Sequence, residues 1–213
     1  MKGGKLPITH RENYPAEVQQ FEQTLRQQGY QRIAGIDEAG RGALAGPVVA
    51  AAVILPINCQ ISGMTDSKQL TPKRRVELFD EIHHTAVGVG VGRVGNEEID
   101  RINILQATMA AMAQAIAEIT PAPDYALIDG THLPEISLPA EAIPKGDTLI
   151  QSIAAASIIA KVTRDHLMIE LDETYPGYSF QVHKGYGTLV HRQAIAQLGP
   201  CPIHRRSFKL QSK

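Results

Sequence analysis

Acidic residues in this chain stand where apolar elements end, a placement that restricts the folds open to it. Asp37 and Glu38 close the short apolar run Ile33 to Ile36, Asp129 closes Tyr125 to Ile128, and Asp165 lies on a long, largely apolar helical stretch. Charges seldom occupy such positions without a partner, because taking them out of water is costly. Neighbouring strands that end together would gather the first three carboxylates at one sheet edge, where α/β sheets bind ligands, and the helix could bring the fourth over them.

The intervening segments supply the layers such a sheet needs. The run Val48 to Leu55 comes after a glycine-rich turn and pairs naturally with the first strand. Val87, Val89 and Val91 alternate with Gly88, Gly90 and Gly92, a period-two strand whose bare face admits a close neighbour. Tyr125 to Ile128 is a fourth strand, and Ile143 falls in a short fifth. Helices are expected over Pro15 to Gln28, from the Thr71-Pro72 cap through Ile82, from about Ile104 to Ile119, and from Leu149 to about Glu173. The stretch Ile153 to Ala160 is buried on most sides. The chain ends in a tail of short helices and glycine- and proline-containing loops. The expected division is a helical extension over residues 1–31 and an α/β domain over 32–213.

Composition restricts function less than pattern does. A formal net charge of -1 over 213 residues excludes a chain that coats nucleic acid simply by being basic, so such binding requires local clusters. Cys59 and Cys201 have no metal-binding or disulfide-framework spacing, which fits a reducing cytoplasm. The first residues lack the apolar core of a signal peptide, and Val48 to Leu55 falls far short of the ~20 residues needed to span a bilayer. A soluble, cytoplasmic monomer is expected.

Crowded carboxylates repel and need protons or a cation. Hard oxygen donors favour Mg²⁺ or Mn²⁺, and two such ions can support phosphodiester hydrolysis. Singly, an Asp-Glu pair after a strand or an Asp-Gly turn is ordinary surface chemistry. The residues just beyond Glu38 change the balance: Gly40, Arg41 and Gly42 put exposed backbone N–H groups and a planar guanidinium fork beside the acids, a combination suited to phosphate.

The stretch Asp37-Glu38-Ala39-Gly40-Arg41-Gly42 resembles the signature of the ribonuclease HII family. The resemblance continues through Asp66-Ser67-Lys68-Gln69-Leu70, Asp129-Gly130, Ser152 to Asp165, His183-Lys184-Gly185-Tyr186-Gly187-Thr188 and His204 to Phe208. It implies a ribonuclease H-like α/β fold: a five-stranded mixed sheet with its first three strands antiparallel, flanked by helices, and a helical C-terminal region. It also implies an endonuclease that cuts the RNA strand of RNA–DNA hybrids and nicks DNA at embedded ribonucleotides. Asp37, Glu38, Asp129 and Asp165 match the metal-binding carboxylates, with Asp147 the alternative for the fourth. Gly40, Arg41 and Gly42 match the loop that senses the 2′-OH, and Tyr186 the tyrosine that packs on the adjoining sugar. The resemblance also gives Lys68 a phosphate contact, and Lys184, Arg205, Arg206 and Lys209 are expected to form a basic footprint with it. The related ribonuclease HIII family usually has lysine at the position of Arg41.

Other readings are weaker. Gly90-Val91-Gly92-Arg93-Val94-Gly95 satisfies a dinucleotide-binding pattern, but its glycines lie inside a strand instead of after one. A non-catalytic hybrid-binding module would be expected to lack one of the acids. Ser157 and Lys161, four apart on one helical face, are expected to hydrogen-bond within the core. A sliding clamp is a conceivable partner, although Gln211-Ser212-Lys213 carries no clear clamp-binding peptide.

Overall fold

The computed structural model describes residues 21–59, 61–64 and 70–210. Strands β1 (Ile33–Ala39), β2 (Val48–Ile54), β3 (Gly88–Val94), β4 (Tyr125–Asp129) and β5 (Ala140–Ile143) form one sheet in the order β3-β2-β1-β4-β5. The β1–β2 and β2–β3 pairs are antiparallel, whereas β1–β4 and β4–β5 are parallel. The expected mixed sheet is therefore observed, with β1, β4 and β5 all running toward the same edge.

Strand pleat determines what covers each face. Ala34, Ile36, Ala50, Ala52, Ile54, Ala126 and Ile128 face helix α3 (Asn96–Glu118) through Ala107, Ala111, Met112 and Ala115. The opposite face, including Ala51 and Val53, packs on helices α2 (Pro72–Thr85) and α4 (Gln151–Thr174). Every residue from Ser152 to Ala160 is buried.

The glycine face of β3 meets α3. A Cβ on Gly92 would stand 2.0 Å from the Ala111 carbonyl oxygen, and one on Gly90 2.2 Å from that of Ala115. The dinucleotide-like spacing thus serves backbone-to-backbone packing. Gly35 does the same for α4, since its Cβ would lie 2.1 Å from the Ser152 carbonyl carbon.

Helix α3 begins eight residues before the expected Ile104 and is broken at Asn103, whose φ is 68°. The Asn103 Oδ1 accepts from the N–H groups of Leu105 and Gln106 at 3.0 and 3.1 Å, so asparagine caps the main helix at the expected point. Helix α1 (Phe21–Gln27) is the described part of the expected N-terminal helix. Its Phe21 and Leu25 share a cluster with Ile33, Leu127, Ile143, Ile150 and Ile153. No helix among the described residues is long and apolar enough to cross a membrane.

The C-terminal region contains α5 (Phe180–His183) and α6 (Leu189–Leu198), packed around a histidine cluster. His183 and His191 stack at 4.4 Å between ring centroids, and His191 Nε2 lies 3.0 Å from His204 Nε2. The same cluster holds the turn at residues 183–186: the Gly185 N–H donates to His183 Nδ1, and His191 Nδ1 bonds the Tyr186 carbonyl at 2.9 Å.

This packing leads to two expected outcomes. Gly92→Ala should destabilise the protein by about 1–3 kcal/mol, measured by urea unfolding, because β3 and α3 must separate to admit one methyl group. Burial lowers the His191 pKa from 6.5 to about 4. The unfolded chain then binds more protons in that interval, so this contribution is complete above about 6.5 and fades as pH falls toward about 4. Urea midpoints across the window should decline, and less steeply in His191→Gln.

Candidate active site

Parallel pairing of β1 with β4 brings their acids together. Ile36 pairs with Ile128, so Asp37 and Asp129 are the next residues on adjacent strands and lie on the same face of the pleat. Asp37 is only 5% exposed. The Glu38 N–H donates to Asp37 Oδ1 at 2.6 Å, and the Ser157 hydroxyl bonds the Asp37 side chain. Burial raises the Asp37 pKa well above 3.8, and the charges of Glu38 and Asp129 add to the rise. Glu38 is also pushed up, chiefly by burial and in addition by Asp129, while Arg41 opposes the shift from 3.3 Å.

Asp147 joins this edge from a different direction. The parallel β4–β5 ladder places Ile143 beside Asp129, and the chain then turns through a short 3₁₀ segment, Gly146–Thr148. The Asp147 N–H points at Asp129 Oδ1, 3.4 Å away, and its side chain belongs to a residue only 7% exposed.

Asp165 occupies a different place. Its Oδ1 is 2.6 Å from Lys161 Nζ and its Oδ2 is 3.9 Å from Arg75 Nη1. It lies eight residues beyond Ser157 on α4, about 12 Å along a helix. Since Ser157 is the residue that touches Asp37, the turn carrying Asp165 lies well beyond the acidic edge. Asp165, Lys161, Arg75, Lys184 and Tyr186 instead line a cleft of about 400 Å³. Ser157 and Lys161 therefore serve two separate clusters.

The donor set suits a hard divalent cation: Asp37, Glu38 and Asp129 are oxygen ligands under mutual repulsion, with Arg41 as a partial counter-charge on Glu38 alone. Among the described residues, no three Asp, Glu, His or Cys side chains are grouped closely enough as placed to hold a metal ion, so a cation would have to draw these carboxylates together.

The loop from Gly40 to Pro47 adjoins the acids. Gly40 has φ 94°, and a Cβ there would stand 2.0 Å from Arg164 Nε, so both conformation and contact require glycine. A Cβ on Gly42 would meet nothing within 4 Å. Ala43 bridges Tyr186, the Leu44 N–H donates to the Gly185 carbonyl at 2.8 Å, and the Arg205 N–H donates to the Leu44 carbonyl at 2.8 Å. The half-buried Tyr186 ring has Arg164 Cζ 5.3 Å and Lys161 Nζ 5.6 Å from its centroid. Lys184 caps α5 in a left-handed conformation and hydrogen-bonds the Gln181 carbonyl through Nζ. Lys68 and its neighbours Asp66, Ser67 and Gln69 lie outside the described residues.

Three basic residues sit differently from what the sequence suggests: Arg75 reads as a solvated helix face, Arg205 as part of a basic surface patch, and Arg164 carries no signal of its own. The last two are fully buried, and burial lowers Arg205 to about 9, which leaves it charged at neutral pH. Adjacent charges make Arg164-Asp165 and Arg205-Arg206 look like solvated surface, and only their distant backbone partners reveal otherwise.

Comparisons with known proteins identify the family. Residues 34–211 match the sequence model of the family described as Ribonuclease HII. The chain is 58% identical over 190 residues to ribonuclease HII of Geotalea uraniireducens, covering 89% of this chain and 88% of that one. It is 56% identical over 204 residues to ribonuclease HII of Geobacter sulfurreducens, covering 96% and 94% respectively. The ribonuclease H2 structure from Pyrococcus horikoshii superposes with a TM-score of 0.69 at 28% identity, covering 84% of this chain and 94% of that one. With the family model matched over residues 34–211 and relatives more than half identical along most of its length, the chain belongs to the ribonuclease HII family.

Proposed function

We propose that this chain hydrolyses the RNA strand of RNA–DNA hybrids and nicks duplex DNA at embedded ribonucleotides, leaving 3′-hydroxyl and 5′-phosphate ends. The observation that carries this reading is the set of buried, mutually repelling carboxylates at the shared edge of β1 and β4. Asp37, Glu38 and Asp129 would hold Mg²⁺ or Mn²⁺, and Asp147 would take the fourth position in place of Asp165. Support for that exchange is the Asp147 N–H directed at Asp129, against the engagement of Asp165 by Lys161 and Arg75.

Bound divalent cations supply positive charge for the attacking water and the departing 3′ oxygen. Asp37 feels the charge of both Glu38 and Asp129, and Ser157 orients its carboxylate. Arg41 lies half exposed next to Glu38, free to swing its guanidinium to a phosphate once a cation satisfies that carboxylate. The open space at Gly42 has no role in packing the protein against itself, which supports a close approach of a ribose and its 2′-OH. Tyr186, backed by Arg164 and Lys161, offers a flat surface to the next sugar. Lys184, and Lys68 from outside the described residues, complete the phosphate contacts. Because the overall charge is near neutral, binding depends on this local cluster and weakens with salt.

A duplex containing one ribonucleotide, incubated with and without Mg²⁺, tests the activity; a nick 5′ of the ribonucleotide in the presence of metal is the expected result. Asp37→Asn should lower kcat at least about a hundredfold. The same change should raise the melting temperature in EDTA. Asp37 has a folded pKa raised above its ordinary 3.8, so its contribution to stability is present below that value and is lost as pH rises through the raised pKa. Asparagine removes this loss, so the gain should be larger at pH 7 than near pH 4.

The fourth ligand is decided by comparing two further variants. Asp147→Asn should weaken metal activation, seen as a rise of about tenfold or more in the Mg²⁺ concentration for half-maximal rate. Asp165→Asn should leave that concentration unchanged and alter KM for the duplex. The reverse pattern would return the fourth position to Asp165.

A further inference from the structure

Arg164 and Arg205 are both fully buried, and among the described residues neither makes an ion pair with a carboxylate. Their donors go instead to backbone carbonyls. Arg164 donates from Nε to Pro47 at 2.9 Å, from Nη2 to Ala45 at 3.1 Å and from Nη1 to Lys184 at 2.9 Å. Arg205 donates from Nε to Gly46 at 3.0 Å and from Nη1 to Arg41 at 2.9 Å. Its Nη2 is buried without a hydrogen-bond partner. Two like charges in one interior, one with an unsatisfied donor, cost stability that an apolar pair would not.

Geometry accounts for their presence. A planar guanidinium has five N–H groups in a rigid fork and can draw carbonyls from several segments to one point. Here the carbonyls of residues 41, 45, 46, 47 and 184 all turn inward. Carbonyls committed inward leave the loop's other edge, including the Arg41 side chain and the open face at Gly42, directed outward beside the acids. Arg164 also fills the space that a Cβ on Gly40 would need and backs the Tyr186 ring.

We propose that Arg164 and Arg205 are positioning residues for substrate: a buried, carbonyl-bound arginine pair that sets the Gly40–Pro47 loop and Tyr186 in register for a nucleic-acid backbone. The proposal rests on the nuclease reading for the nature of the substrate, but not for the ordering of the loop. Each arginine acts through another group. Arg205 acts through the Arg41 backbone, and Arg164 through Gly40, Lys184 and Tyr186.

Arg205→Lys retains the charge and removes the fork. Its test has one arm without substrate and one with it. Hydrogen exchange of the metal-free protein should speed up at residues 41–47 and 184–186 while the amides of β4 and α3 stay as in wild type; acceleration spread evenly over the sheet would mean general destabilisation and would overturn the proposal. With a one-ribonucleotide duplex in EDTA, fluorescence anisotropy should give a Kd raised about tenfold. Arg41→Ala should add little in the Arg205→Lys background, because the arginine it removes is already out of place. Multiplying effects of the two changes, or an unaltered Kd in folded Arg205→Lys, would count against positioning. Arg164→Lys, paired with Tyr186→Ala, repeats the cycle if Arg205→Lys does not fold, and failure of both lysine variants to fold would reduce the pair to a stability element. A wild-type protein that binds the duplex but never nicks it would sink the nuclease reading and leave the brace standing.

Discussion

Like charges forced together on parallel strands govern the rest of this structure. The β1–β4 register leaves Asp37 and Asp129 no means of separating, because a shift of one residue would turn each strand's buried set to the wrong face. Relief has to come from the surroundings. Nearby α4 offers only the hydroxyl of Ser157, since the helix segment over this part of the sheet is built from Ala154, Ala155, Ala156 and isoleucines. Small side chains let α4 press on Gly35. The fold thereby keeps the acids in need of an external cation.

Charge of the opposite sign is stored nearby and kept apart. Arg164 and Arg205 lie beneath the loop that leaves β1, and their hydrogen bonds run to its carbonyls and that of Lys184, so they are held away from the acids. Arg41 is the exception, reaching Glu38 from the exposed side of the same loop. The result is a negative edge beside a positively backed loop, joined through Arg41 and Glu38. A phosphodiester placed there would meet donors on the loop side and, were the acids to hold a cation, positive charge on the other.

Much of this was legible in the residues. The period-two valines and glycines of β3 foretold both a strand and a close neighbour, and the acids at the ends of apolar runs foretold the edge. What could not be read was depth along α4. Helical periodicity reports which face a residue occupies, but not which turn lies over the sheet edge, so Asp165 and Asp147 could not be separated by pattern. The distinction comes from β5, a four-residue strand whose parallel pairing delivers Gly146 and Asp147 to the edge before α4 begins. The buried arginines were hidden for a related reason: their partners are carbonyls 20 to 164 residues away in sequence, and a carbonyl carries no residue identity to recognise.

Helix α4 is the element that joins the two halves of the site. Ser157 touches Asp37, and Arg164, seven residues on and about 10 Å farther along the axis, touches Gly40 and backs Tyr186. One rigid helix thus sets the spacing between the acids that would act on a phosphate and the aromatic ring that would receive the neighbouring sugar. A longer or more flexible connection would still bind a polyanion, but it could not keep the sugar tested for its 2′-OH adjacent to the phosphate being cut. The burial of α4 along its first half, costly in polar side chains excluded from the core, is what makes that spacing invariant.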